Sequence, residues 1–326
     1  MPIVTATNIR VTLGAKQVLD GATIAIEPGE RVGLVGRNGC GKTTLLKVLC
    51  GTAKFDSGDV SVQRGTRLGY MAQEHRFDAG DTLRSAAAKA MAEADRAKTE
   101  LDEVFEAMAT AEGAELQRLM DRQVELEEAI ERGGGWSNDH LVDAVLHGLG
   151  FEDAQFDIPV TGLSGGQKAR LSLARLLLQN PDVIMLDEPT NHLDIEGCKW
   201  LETFLADTFK GAVIVISHDR RLLDRVVHRI EEIHEGRVRS YPGNYEAFVA
   251  LRAERHLTQM RVHEKQLDRI RSEERYILRY KAGQRAKQAR GRATRLERFK
   301  RDELVERPIE LDSMQIRLPS GPRVGD

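Results

Sequence analysis

One stretch, Gly36-Arg37-Asn38-Gly39-Cys40-Gly41-Lys42-Thr43, constrains this chain more than any other. It fits the phosphate-binding pattern G-x-x-x-x-G-K-[ST]. Arg31-Val32-Gly33-Leu34-Val35 before it reads as a buried strand, and Thr44-Leu45-Leu46-Lys47-Val48-Leu49 after it as a helix. Strand, glycine loop and helix are the context the pattern needs. Glycines let backbone N–H groups turn inward around phosphate oxygens, where side chains would intrude. The following helix adds its positive N-terminal dipole. In such a loop Lys42 reaches the terminal phosphates, and the Thr43 hydroxyl ligates Mg²⁺.

Around this loop, apolar strands alternate with helices, which argues a mainly parallel sheet flanked by helices. Strands are expected at Asn8–Leu13, Ala22–Ile26, Val60–Val62 and Arg67–Met71, with Gln73 directly after the last. From Thr82 to Arg132 the composition shifts to alanine, glutamate and lysine, without proline. Leu101, Val104, Phe105 and Met108 repeat at helical spacing, as do Leu116, Leu119, Met120, Val124 and Ile130. Gly113 lies between the two sets, so a helical hairpin with a narrow apolar seam is expected. A further helix is expected from Asn138 to Gly148, and another from Lys168 to Leu178.

A second run of chemistry follows. Asp182-Val183-Ile184-Met185-Leu186-Asp187-Glu188 is an apolar strand that delivers two carboxylates to one edge of a sheet. Asp187 suits the hydration shell of Mg²⁺, and Glu188 suits orienting or deprotonating a water. Ala212–Ile216 is another buried strand, ending in Ser217-His218-Asp219. Beyond Tyr245 the chain reads as helical and charged to about Glu306, with a short extended tail at Met314–Leu318.

With Leu163-Ser164-Gly165-Gly166-Gln167 preceding Asp187-Glu188, residues 1–245 resemble an ATP-binding cassette (ABC) ATPase. The resemblance implies a P-loop α/β nucleotide-binding domain that binds ATP and Mg²⁺ and hydrolyses ATP. Gly36, Arg37, Asn38, Gly39, Cys40, Gly41, Lys42, Thr43 and Thr44 would hold the nucleotide. Thr43, Gln73 and Asp187 would serve the metal, and Glu188, His218 and Gln73 the chemistry. Ser164, Gly165 and Gly166 would complete the site of a second cassette placed head to tail, with Asp194 in the loop that accompanies it. Cassettes commonly stack an aromatic on the base about 29 residues before the lysine, and here that position is Leu13. The choice between ATP and GTP therefore stays open.

Two additions resemble the ABC-F branch, soluble cassettes that act on ribosomes. The helical insertion at 82–132 resembles the arm of that branch, and Pro189-Thr190-Asn191-His192-Leu193-Asp194 resembles its loop. From Arg279 to Arg301 there are ten basic residues and one acid, Glu297, in a chain of net charge −3. That density suits a polyanion and resembles the ABC-F interdomain linker that contacts tRNA. The expected organisation is a cassette at 1–250 with the arm inside it, a basic helical linker at 251–306, and a tail at 307–326 leading toward a second cassette. The expected partners are the ribosome and tRNA, met through the arm and through 279–301. The alternatives are the ATPase subunit of a transporter and a DNA-associated ATPase. Cys40, Cys50 and Cys198 form no disulfide or metal pattern. No apolar run is long enough to span a membrane, and the expected location is the cytoplasm.

Overall fold

The computed structural model describes residues 1–71, 77–78, 80–132, 138–282 and 285–302. Two sheets organise the first 248 residues. The smaller is antiparallel: β1 (Val4–Leu13) lies between β2 (Lys16–Ile26) and β4 (Ser57–Val62). The larger contains β3 (Arg31–Gly36), β5 (Leu68–Tyr70), β6 (Val183–Asp187), β7 (Ala212–Ile216), β8 (Arg229–His234) and β9 (Arg237–Pro242). Its order is β5-β6-β7-β3-β8-β9, parallel except for the final β8–β9 hairpin. The mainly parallel sheet expected from the sequence is there. The antiparallel sheet and the β8–β9 hairpin are not in that expectation.

Strand periodicity explains the layers. Val183, Met185, Ala212, Ile214 and Ile216 enter the core shared with the small sheet. Their alternating neighbours Ile184, Leu186, Val213 and Val215 enter the opposite core. Successive side chains point to opposite faces of a strand, and a sheet covered on both sides needs both sets apolar. The first core also takes Leu45, Leu46, Val48 and Leu49 of α1 (Lys42–Leu49). The second takes residues of α2 (Leu83–Ala88), α5 (Asn138–Gly148), α6 (Gly165–Leu178), α7 (Ile195–Thr203) and α8 (Arg220–Val226).

The insertion folds as α3 (Ala92–Met108) and α4 (Ala114–Arg132), an antiparallel pair with its own small core. Ala97, Leu101, Val104, Leu126 and Ile130 are buried there, with Met108 and Leu119 beside them. Phe105, Met120 and Val124, expected in the seam, are instead exposed. Phe105 and Met120 each adjoin a seam residue, Val104 and Leu119, while Val124 lies two positions before Leu126 and so on the other side of α4; a two-helix contact is too narrow to cover them. Arg122 donates to Glu100 at 2.7 Å across the pair.

A second compact unit begins at Val249. It holds most of α9 (Tyr245–Arg279) and all of α10 (Ala286–Asp302). Ile270, Leu296 and Phe299 form its small core, with Ile277 packed against them. The tail at 307–326 lies outside the described residues, as do Gln73 and Gly133–Gly135.

Candidate nucleotide site

Three parallel strands end at the same edge of the large sheet. β3 runs into the glycine loop, β6 ends in Asp187-Glu188, and β7 ends before Ser217-His218. Side by side in the order β6-β7-β3, they bring sequence-distant groups to one carboxyl-terminal rim. That rim is where open α/β sheets place ligands.

The glycine loop is shaped by what its backbone excludes. Gly36 has φ 153° and Gly41 φ 106°. A Cβ on Gly36 would stand 2.6 Å from Cys40 Sγ and 2.7 Å from the Ile233 carbonyl oxygen. One on Gly41 would stand 2.7 Å from Val18 Cγ1. These two positions need glycine on both counts. Lys42 Nζ donates to the Gly36 carbonyl at 2.9 Å and to the Arg37 carbonyl at 3.2 Å. The lysine therefore curls along the concave side of the loop, at the start of α1. Burial raises the Cys40 thiol above its ordinary range, so it stays protonated and packs as a small apolar group.

Opposite the loop, Thr43 Oγ1 donates to Asp187 Oδ2 at 2.7 Å. A hydroxyl and a carboxylate in contact offer oxygen ligands suited to a hard divalent cation. Glu188 has φ 51°, and its N–H donates to the Ile216 carbonyl at 2.9 Å. Its Oε2 accepts from the His218 N–H at 3.2 Å, and its Oε1 lies 3.4 Å from His218 Nε2. The carboxylate is thus fixed to the end of β7, with 19% of its side chain exposed, while His218 is 72% exposed.

These groups line one cavity of about 600 Å³. Of the residues picked out in the sequence, Asn38, Gly39, Gly41, Lys42, Thr43, Thr44, Asp187, Glu188, His218 and Leu13 line it. Gly36, Arg37 and Cys40 shape the loop without appearing in that lining. Val18, Met71, Asn191 and His192 also line it, and none of them belongs to the motifs that point to the site in the sequence. Asn191 and His192 could have been found, since they follow Glu188 directly through Pro189 and Thr190. Val18 reaches the cavity only because the β1–β2 hairpin folds onto Gly41, a tertiary fact without a local signal.

Ser164, Gly165, Gly166 and Asp194 do not line this cavity. Ser164 caps α6: its Oγ accepts from the Gln167 N–H at 3.3 Å, while Gln167 Oε1 accepts from the Ser164 N–H at 2.9 Å. A Cβ on Gly165 would meet nothing within 4 Å, and one on Gly166 only His192 Nδ1, at 3.8 Å. The helix therefore opens its N-terminus to its surroundings with little side chain in front of it. Asp194 Oδ1 accepts from the Gly197 N–H at 2.7 Å and caps α7.

A family model described as "ABC transporter" matches residues 19–191, and a second with the same description matches 231–318. The first spans more than half of the chain and contains the glycine loop, Ser164-Gly165-Gly166 and Asp187-Glu188. The chain belongs to the ABC transporter family. It is 36% identical over 327 residues to the energy-dependent translational throttle protein EttA of Mycobacterium tuberculosis, covering 99% of this chain and 56% of that protein. It is 34% identical over 311 residues to EttA of Escherichia coli K12, covering 95% and 55%. It is 34% identical over 300 residues to the putative ATP-binding protein YdiF of Bacillus subtilis, covering 92% and 47%. The chain thus spans about half the length of the curated relatives it matches. In fold it resembles a dimeric post-hydrolysis ATP-binding cassette bound to ADP and Pi, at TM-score 0.50 and 20% identity over 73% of this chain and 98% of that one. It also resembles the ATP-binding subunit of an ABC transporter, at TM-score 0.51 and 19% identity over 74% and 90%. Both carry the ABC cassette fold. Among the described residues, no helix is long and apolar enough to cross a membrane.

Proposed function

We propose that this chain is an ATP-binding, ATP-hydrolysing cassette of the ABC-F type. It works head to tail with a second cassette and acts in translation, on the ribosome and tRNA. The observation that carries the ATPase part is the convergence of Lys42, Thr43, Asp187, Glu188 and His218 in one cavity. The glycine cradle, the α1 N-terminus and Lys42 fit a triphosphate. Thr43 and Asp187 fit Mg²⁺, and Gln73, which lies outside the described residues, would be a further ligand. That ion would neutralise phosphate charge when bound. Glu188, oriented by the His218 N–H, would hold the attacking water and take its proton. Ser164, Gly165 and Gly166 would face the terminal phosphate held by the second cassette, with α6 supplying its N-terminal dipole. Asp194, at the head of α7, would accompany them at that junction.

The translation part is supported by the EttA relatives and by charge. Of the ten basic residues in 279–301, Arg292 pairs with Glu273 at 3.3 Å, Lys300 with Glu274 at 2.6 Å and Arg301 with Asp302 at 2.7 Å. Lys281, Lys287, Arg290, Arg295 and Arg298 are exposed and make no ion pair among the described residues. Arg292 also lies 4.0 Å over the Tyr276 ring and Arg269 4.6 Å over Phe299. Those aromatic faces are occupied, which favours reading of phosphates and shape over base stacking. In this reading residues 1–250 are the cassette, 82–132 its arm and 251–306 the linker.

Ribosome co-sedimentation tests the proposal, with the protein assembled with its second cassette and carrying ATP, ADP or no nucleotide. ATP-dependent pelleting, stronger in Glu188→Gln, is expected. No pelleting in any state would overturn the ribosomal part and leave the ATPase reading to be judged on turnover alone.

A further inference from the structure

The arm and the cassette each have a core, and the two do not merge. Along α2 and α3, Met91 is the last residue to join the cassette core and Ala97 the first to join the core of the arm. Among the described residues between them, only Ala94 is buried. The chain crosses this gap as one rod. Its first part, α2, is anchored: Leu83, Ala86 and Ala87 are buried, and the N–H groups of Leu83 and Arg84 donate to the Ile158 and Phe156 carbonyls at 2.9 and 3.1 Å. Its last part, α3, belongs to the arm. Between them Lys89–Met91 forms a three-residue 3₁₀ turn. Such a turn inside a longer helix has poorer hydrogen-bond geometry and often marks a joint. Alanine fills five of the seven positions 86–92, so little side chain bridges it.

Two further features meet at this turn. The first is a cavity of about 170 Å³, lined from the turn and the start of α3 by Ala90, Met91 and Ala94. Leu68 of β5, Leu178 at the end of α6 and Pro181 just beyond line it from the cassette. Interiors are normally packed without such voids, and atoms that face empty space lack the contacts that would hold them. The second is a latch. Lys89 Nζ lies 2.7 Å from Asp78 Oδ2 and 2.8 Å from Asp81 Oδ1. The Asp81 side chain is only 13% exposed, and its carbonyl accepts from the Val160 N–H at 2.9 Å, so it is held by the cassette. Lys89 is half exposed, and ion pairs of that kind bias a position without locking it.

We propose that Lys89–Met91 is a hinge on which the arm pivots against the cassette, with the void giving it room and Lys89 biasing it toward one position. The inference goes beyond nucleotide binding and holds whatever the glycine-loop cavity contains. Opening or closing the void changes the contacts of small alanines and of Met91, whose flexible thioether chain adapts to either shape. The 17 residues of α3 make a lever of about 25 Å at 1.5 Å per residue. Each 10° at the hinge therefore carries the far end of the hairpin about 4 Å.

The test is the distance distribution between two spin labels in the full chain, carried on ketone-bearing residues so that the native cysteines are untouched. One label replaces Glu115, exposed at the far end of the arm, and the other Lys54 or Lys210, both exposed on the cassette. In at least one of these pairs the wild type should show a main distance and a minor one about 4 Å or more away. Lys89→Met should raise the minor population about two- to fivefold. Ala94→Leu, which fills the void from α3, should lower it by at least as much. Ala90→Leu fills the same void from the turn and should do likewise, so the test stands even where Ala94→Leu folds poorly. Distributions that neither Lys89→Met nor a filled void alters would overturn the hinge. So would a spread in Lys89→Met that comes with lost hydrogen-exchange protection at Leu101–Val104, because α3 would then be melting rather than turning as a unit.

Discussion

Gly41 and Gly39 sit two residues apart in the same loop, yet they carry different physical burdens. Both have positive φ, 106° and 73°. A Cβ on Gly41 would strike Val18 and Leu19 at 2.7 and 2.9 Å, whereas one on Gly39 would meet nothing within 4 Å. Gly41→Ala should therefore displace the hairpin from the loop and weaken nucleotide binding by at least about tenfold. Gly39→Ala should cost only backbone strain, about 1 kcal/mol. Nucleotide titrations of the two variants check the contrast. Glu188 offers the complementary experiment. Glu188→Gln keeps the shape and loses the proposed base, so hydrolysis by the protein assembled with its second cassette should fall about 10²–10⁴-fold. Nucleotide affinity should be unchanged, and normal turnover would remove Glu188 from the reaction.

At the scale of elements, what the sequence revealed depended on how local the cause was. The loop between β3 and α1 was legible because glycine spacing dictates backbone shape directly. The β8–β9 hairpin was hidden by polar residues in buried places. Glu231 and Glu232 are 2% and 5% exposed, which breaks the apolar pattern of β8. Tertiary partners account for them. Arg229 bridges Glu30 and Glu231, and the Tyr241 hydroxyl donates to Glu232 at 3.0 Å. Burial still pushes the Glu231 carboxyl up. In the arm, helical periodicity marked the right helices but not the width of their contact. Leu101 is fully buried while Val124 is 55% exposed. Leu101→Ala should cost about 2–5 kcal/mol within the hairpin and reduce hydrogen-exchange protection across α3 and α4. Val124→Ser should change stability by less than about 0.5 kcal/mol.

For the whole molecule, the overall charge of −3 conceals an uneven distribution. The exposed cations of α10 stand in a chain whose total would repel a polyanion. Association through them should be steeply salt-dependent, each neutralised phosphate contributing about 0.7–0.9 to the logarithmic slope. Reversal of Lys287 and Arg298 to glutamate should reduce that slope by about 1.5 and weaken ribosome pelleting, leaving nucleotide binding unchanged. The measurement is pelleting across a salt series. An unchanged slope would mean that other surfaces carry the contact. The same separation explains why the site was easier to read than the partner. A nucleotide is recognised by a few residues in fixed geometry, whereas a charged helix says only that its partner is anionic.

The backbone of Glu188, at φ 51°, has an evolutionary consequence. That region is entered at lower cost by asparagine or glycine than by most residues with longer side chains. Replacing Glu188 with either would relax the turn while deleting the carboxylate proposed to hold the attacking water, so a melting temperature of Glu188→Asn at or above wild type is expected. Silencing of the chemistry then runs with folding energy, where most losses of function run against it. Under the proposed function, a lobe that grips its nucleotide without consuming it is one substitution away.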